Sequence, residues 1–186
     1  MLRLEGFRYG TTLDLYMGYY HIELSANPKE LCTIVTQWGN YEYQQIPMGL
    51  CNSPDIFQEN MSELFVGLDT VRVYIDDLLH VTKGSWTGYI TILEEMSTRL
   101  QKDGLKVKAI KSCFGTHKFD YLGYHAICDG VMPIPKKVKA IQALAVPKTC
   151  KQLCQFIGMI NFYRDMWQKR SELLAPLTAL TSKNVK

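Results

Sequence analysis

The residues with the clearest chemical potential are two adjacent acids, Asp76 and Asp77, inside the run "VRVYIDDLLHV" (71–81). Their flanks are apolar: Val71, Val73 and Ile75 before, Leu78, Leu79 and Val81 after. A carboxylate in apolar surroundings is costly unless something compensates it. A plain solvated turn would more often use Asn-Gly or Asp-Gly, placed at the edge of such a run. A divalent cation would hold both carboxylates ionised. Mg²⁺ takes few protein carboxylates and fills its shell with water and phosphate oxygens, and two such ions together drive in-line phosphoryl transfer. Asp14, in "TTLDLYMGYYHIEL" (11–24), is a third acid amid apolar neighbours. On spacing alone its link to Asp76 stays open, because two unrelated strand-end turns explain the same pattern. Other metal candidates are poorer. Cys113 and His117 supply two of the four ligands a structural zinc needs, and Cys150 and Cys154 read as packed thiols on one helical face. His21, His80 and His125 read as structural or solvated, and Trp38, Trp86 and Trp167 as packing anchors.

The elements that must position these acids follow from periodicity. "TTLDLYMGYYHIEL" reads as extended structure around a break at Gly18. "CTIVTQWGNYEYQQI" (32–46) reads as a hairpin turning at Gly39-Asn40. Residues 53–68 read as a helix capped by Ser53, with Pro54 in its first turn and Phe57, Met61, Leu64, Phe65 and Leu68 on one face. Residues 71–82 read as strand on both sides of the aspartates. A second helix is expected over 85–102, then an exposed-face strand over 105–112 and a hairpin over 118–134 turning at Asp129-Gly130. From Pro135 the pattern is helical, with a capping box at Thr149 and Gln152 and a last helix over 171–182. The expected fold class is α+β, an antiparallel sheet with helices on one face followed by a small helical element.

The chain has 186 residues, 47% hydrophobic and 21% charged, enough for one domain with a core and a small appendage. No apolar run approaches the length of a membrane span, and the N-terminus lacks the apolar region of a secretory signal. The six cysteines are therefore expected as thiols. The net charge of +3 hides a split, −7 over residues 1–100 and +10 over 101–186. That asymmetry is what an acidic site beside a polyanion-facing surface would give, and equally what a lysine-rich solvated face would give.

Seven segments in order carry a family resemblance. "YIDD" (74–77) resembles the Y-x-D-D signature of reverse transcriptases, and "LDLYMGYYHIEL" (13–24) their first carboxylate motif. "IPMGLCNSPDIFQ" (46–58) resembles the next motif in the wording of gypsy-type LTR retrotransposons, and "GLKVKAIKSCF" (104–114), "YLGY" (121–124), "PIPKKVKAI" (133–141) and "FIGMINFYRDMW" (156–167) continue the same order. The resemblance implies a polymerase palm over 1–134 and thumb or connection helices over 135–186, with the fingers largely missing. It implies an RNA-directed DNA polymerase core adding dNTPs to a primer 3′-OH, with two Mg²⁺ ions, or Mn²⁺ in their place. Asp14 and Asp76 would be the main metal ligands and Asp77 a less direct one. Backbone N–H groups of Leu15, Tyr16, Met17 and Gly18 would face the nucleotide triphosphate. Tyr19 would exclude a 2′-OH, and Met48 and Gly49 would contact nucleotide and template. Lys111 would protonate the leaving pyrophosphate. Tyr74 and the Tyr121-Leu122-Gly123-Tyr124 hairpin would grip the primer, and Lys136 and Lys137 would meet the duplex backbone.

The implied partners are an RNA or DNA template with a DNA primer, and no membrane. The implied location is intracellular: cytoplasm, virus-like particle or nucleus. Cys154 and Gln155 depart from the arginine or other polar groups usual in this thumb. No protease, RNase H or integrase segment follows, so a piece of a retroelement polyprotein, or a truncated copy, is expected. The alternatives are an inactive nucleic-acid-binding remnant and, less in keeping with the nucleotide-facing motifs, a metal-dependent nuclease.

Overall fold

The computed structural model describes residues 4–24 and 32–182. Its centre is β1 (Tyr9–Tyr16), whose alternation sends Leu13 and Leu15 to one face and Asp14 to the other. On one side β1 pairs antiparallel with β5 (Asp77–Thr82), which pairs with β4 (Val71–Tyr74). On the other it pairs with two short strands in turn, β6 (Lys106–Val107) and β7 (Cys113–Thr116). Two helices cover one face, α1 (Ser53–Leu64) and α2 (Trp86–Lys102). Phe57 and Met61 of α1 and Met96 and Leu100 of α2 close over Leu13, Leu15 and Leu78.

A second sheet lies against the opposite face. Its strands are β8 (Lys118–Tyr121), β9 (Tyr124–Ile127) and β10 (Gly130–Pro133). Phe119, Tyr121 and Ala126 pack with Leu79, Leu4 and Phe7 in a second core. A separate hairpin is formed by β2 (Thr33–Thr36) and β3 (Gly39–Glu42). The chain ends in α3 (Pro135–Gln142), α4 (Cys150–Asn161) and α5 (Arg170–Ala179), and α4 carries the expected capping box at Thr149 and Gln152. No helix is long and apolar enough to cross a membrane among the described residues. All six cysteines are thiols.

Several local expectations need correction. The stretch after Gly18 is not extended: Gly18–His21 form a 3-10 turn. The β2–β3 turn is Gln37-Trp38, not Gly39-Asn40. Thr36 Oγ1 accepts from Trp38 N–H at 3.2 Å and donates to Gly39 C=O at 2.9 Å, a side-chain turn that leaves Gly39 and Asn40 in the ladder. Asn52, not Ser53, takes the cap position of α1, while the buried Ser53 hydroxyl donates to Pro47 C=O. That helix stops at Leu64, and Arg99 of α2 donates to the Leu64 and Val66 carbonyls at 2.9 and 2.8 Å, meeting the acceptors a helix end leaves open. Residues 118–134 make two hairpins, turning at Leu122-Gly123 as well as before Gly130.

The expected strand over 105–112 is broken. After Val107 the chain makes one last bond to β1, Lys108 N–H to Asp14 C=O at 2.8 Å. It then bulges through a 3-10 turn, Ala109–Lys111, before re-pairing as β7. The bulge stands opposite Asp14 and lifts Lys111 over it.

Candidate active site

The β1–β5 register sets Asp14 directly opposite Asp77. Asp76 occupies the two-residue turn between β4 and β5, where Tyr74 pairs with Asp77. Leu15 N–H donates to Asp76 C=O at 3.0 Å, tying this tip to β1. The tip is strained: Ile75 has φ +52°. A β-branched side chain in that region costs on the order of 1–3 kcal/mol and persists only where its surroundings hold it.

The electrostatics are those of crowded acids. Asp76 Oδ1 is buried with no hydrogen-bond partner. Burial first, then the charges of Asp14 and Asp77, push the Asp76 carboxyl above the usual carboxylate range, with Lys111 opposing. Asp77 is raised likewise, by burial and then Asp14. Lys111 Nζ sits 3.1 Å from Asp14 Oδ2, in a pair whose lysine is 55% exposed. Asp14, Asp77 and Lys111 line one wall of a cleft of about 340 Å³, and Asp120 and the Tyr121–Gly123 turn line another.

The donor set is all oxygen, which suits a hard divalent cation such as Mg²⁺. The orphaned Asp76 oxygen marks where a positive charge would be compensated. Among the described residues the acids do not close into a three-ligand cage, and Mg²⁺ does not require one, since water and phosphate oxygens complete its shell.

Gly18 and Phe57 form the floor. A Cβ on Gly18 would lie 2.5 Å from Phe57 Cζ and 2.9 Å from Asp76 Oδ1. Tyr19 leans on Phe57 with ring centroids 5.1 Å apart, and its phenol is raised by burial and then by the Asp76 charge. The end of β1 therefore lies against the acids, and one expected backbone contact needs correction. Leu15 has its side chain in the core and its N–H donating to Asp76 C=O, Tyr16 pairs with Lys106 of β6 and Gly18 is buried, so the exposed residues of this turn are Tyr16 and Met17 (φ +53°).

The hairpin at 121–124 is also less free than expected. Tyr121 is buried, its phenol pushed up to about 12 by burial and then the Asp77 charge. Tyr124 stacks on Phe162 at 5.1 Å and donates its hydroxyl to Phe162 C=O, while Tyr163 donates to Gly123 C=O. Only Tyr121, Leu122 and Gly123 line the cleft, and Tyr124 joins the hairpin to α4. Lys137 Nζ lies 5.4 Å from the Phe162 ring centroid, and Lys136 and Tyr74 are exposed. Met48 and Gly49 stand in the exposed loop before α1, outside the residues lining the cleft. Sequence reasoning missed Asp120, which is held by His125 Nδ1 at 2.6 Å. The alternation of "KFDY" beside a buried Tyr121 was its one signal.

Cys113 and His117 do not assemble a metal site; His117 Nδ1 is 2.6 Å from Arg8 C=O. His80 is buried and stacked on Tyr89 at 5.3 Å.

An antiparallel sheet with acids at a hairpin tip, helices behind and a helical tail beside it defines a polymerase palm with an adjoining thumb. Known proteins give this class its family. Residues 2–126 match the family model "Reverse transcriptase (RNA-dependent DNA polymerase)", and the chain belongs to that family. It is 34% identical over 181 residues to the retrovirus-related Pol polyprotein from transposon opus of Drosophila melanogaster, covering 96% of this chain and 18% of that protein. The transposon gypsy polyprotein of the same organism is 28% identical over 174 residues, covering 92% of this chain and 17% of that protein. Among solved structures, a foamy viral protease–reverse transcriptase in complex with double-stranded DNA superposes with a TM-score of 0.89 at 25% identity, over 95% of this chain and 31% of that one. A foamy viral protease–reverse transcriptase in complex with an RNA/DNA hybrid gives a TM-score of 0.84 at 25% identity, over 94% of this chain and 24% of that one. The chain thus spans less than a fifth of these polyproteins' length.

Proposed function

We propose that this reverse transcriptase domain is catalytically competent, and that it extends a DNA primer on an RNA or DNA template by metal-assisted phosphoryl transfer. The observation that carries the reading is Asp76 Oδ1, buried without a partner beside two further carboxylates. Asp14 and Asp76 would hold two Mg²⁺ ions, with Asp77 in support. Bound there, the ions would supply charge stabilisation to the attacking and leaving oxygens.

The chain's own groups do the rest. The turn at Tyr16–Gly18 presents backbone to an anion, and Tyr19, braced by Phe57, stands at the sugar. Lys111 brings a proton donor to the carboxylates, 3.1 Å from Asp14. Leu122 and Gly123 meet the primer end across the cleft. Met48 and Gly49 remain proposed nucleotide contacts, Tyr74 a primer contact, and Lys136 and Lys137 phosphate contacts. We place the palm at 1–134 and the thumb at 135–186, the junction falling where the second sheet gives way to α3. The nucleic acids carried by the foamy viral structures support this choice of partners.

The test is primer extension on an RNA template with dNTPs and Mg²⁺. Template-dependent extension that vanishes in Asp76→Asn supports the reading. Extension that persists in that variant removes Asp76 from its role, and salt-sensitive duplex binding without any incorporation marks a binding remnant.

A further inference from the structure

The tip that carries Asp76 is held from outside the hairpin. Ile75 is the first central residue of a two-residue loop and has φ +52°, a position where glycine is the usual occupant. Its N–H donates to Gln58 Oε1 at 2.7 Å, across from α1. The same amide donates from Nε2 to Val73 C=O at 3.3 Å, on the other side of Tyr74. Nε2 also lies 3.1 Å from Ser62 Oγ, whose hydroxyl donates to the Gln58 carbonyl at 2.7 Å, fixing the glutamine on its helix. One side chain therefore spans the last residues of β4 and the turn. Its neighbour Phe57 braces Gly18 and Tyr19 at the end of β1. Consecutive residues of α1 thus support the segments that carry Asp76 and Asp14.

We propose that Gln58 is a positioning residue: it clamps the strained Ile75-Asp76 turn so that the Asp76 carboxylate faces Asp14. The proposal deepens the polymerase reading and rests on it for its catalytic consequence. A glutamine on a helix face would otherwise be an ordinary solvated side chain. Its donor and acceptor are both spent on the β4–β5 hairpin, whose tip carries Asp76.

The test compares the wild-type chain with Gln58→Met, which keeps side-chain length and removes both hydrogen bonds, and with Gln58→Met combined with Ile75→Gly. Amide hydrogen exchange is read residue by residue. The Ile75 amide should exchange about tenfold faster in Gln58→Met, the scale of one lost hydrogen bond, with β1–β5 ladder amides unchanged. The incorporation rate at saturating dNTP should fall by about tenfold, with KM for dNTP moving less than about twofold, because ground-state binding is untouched. Ile75→Gly, which takes positive φ without strain, should recover most of the rate in the double variant. Unchanged exchange at Ile75 overturns the clamp. Equal acceleration across the whole sheet overturns it too, since that marks a merely structural glutamine. A rate that Ile75→Gly fails to recover overturns the positioning role. A wild-type chain that incorporates no nucleotide refutes the polymerase reading, while the exchange data still decide the clamp.

Discussion

Replacing Asp76 by Asn should stabilise the metal-free protein while abolishing its activity. The Asp76 carboxyl is raised, first by burial and then by Asp14 and Asp77. A carboxyl raised in the fold means that the native state holds more protons than the unfolded chain between the two values. Stability then falls as pH rises through that window. At neutral pH without a cation the ionised group works against folding. Residues directly opposed in an antiparallel pair, as Asp14 and Asp77 are, have Cβ atoms roughly 5 Å apart. Two like charges at that separation repel by about 1 kcal/mol in a water-like medium and about 3 kcal/mol at an effective dielectric of 20. Asp76 stands beside that pair, so its own repulsion from Asp14 and Asp77, which the Asn variant removes, is of the same order, and Lys111 offsets part of it. Asn keeps the shape and removes the charge but leaves a buried amide imperfectly satisfied, returning about 1 kcal/mol. The balance is about 1 kcal/mol in favour of the variant, or about 2–4 °C in Tm for a chain of this size. Thermal unfolding in a chelator near neutral pH reads it directly. The advantage should disappear in acid, where the wild-type carboxyl is protonated, and Mg²⁺ should raise the wild-type midpoint but not that of the variant. A lower midpoint for Asp76→Asn at neutral pH in chelator would refute the reasoning. So would an equal gain at both pH values.

Three further outcomes are expected. Gly18→Ala forces a Cβ to within 2.5 Å of Phe57 Cζ and 2.9 Å of Asp76 Oδ1, and should lower stability by about 1–3 kcal/mol in denaturant titration along with incorporation. Tyr19→Ala should admit ribonucleotides, read as the ratio of NTP to dNTP incorporation; unchanged discrimination would remove Tyr19 from the sugar. Lys111→Met should change stability by less than about 1 kcal/mol, since the pair with Asp14 is solvent-screened, yet slow single-nucleotide incorporation by about a hundredfold.

What could be read from the sequence was what depends on neighbouring residues. Helices α1 and α2, the capping box of α4 and the strands on both sides of Asp76-Asp77 each announce themselves within about twenty residues by period or by terminal chemistry. Turns made by side chains did not. Gly39 looks like a turn glycine and pairs with Thr36 instead, because the Thr36 hydroxyl closes the loop two residues earlier. The break after Val107 was hidden for a different reason. "LKVKAIKS" alternates correctly for a strand, and only the approach of β1 from far away in sequence makes residues 109–111 bulge. For the site, the apolar surroundings of the three aspartates singled them out and the resemblance joined them. The relations among them belong to tertiary packing: Lys111 on Asp14 is 97 residues distant, and Tyr124 against Phe162 spans 38.

Backbone strain ties these relations together. Among the described residues, four that are not glycine have positive φ: Met17, Ile75, Leu122 and Lys169. Three of them stand where the functional reading needs a fixed backbone, at the end of β1, at the tip before Asp76 and at the turn across the cleft. Such conformations are retained when several neighbours hold them at once. Each has such neighbours: Tyr20 N–H on Met17 C=O, Gln58 on Ile75, and Tyr163 on the carbonyl of Gly123 next to Leu122. Phosphoryl transfer asks a protein mainly for position and fixed charge. A site that relaxed when empty would have to rebuild that geometry at each turnover. Here the braces come from α1 and from the end of α4, elements outside the acids themselves. Loosening a brace should therefore slow chemistry before it weakens substrate binding, whereas loosening the core beneath Leu13 and Leu78 should unfold the sheet.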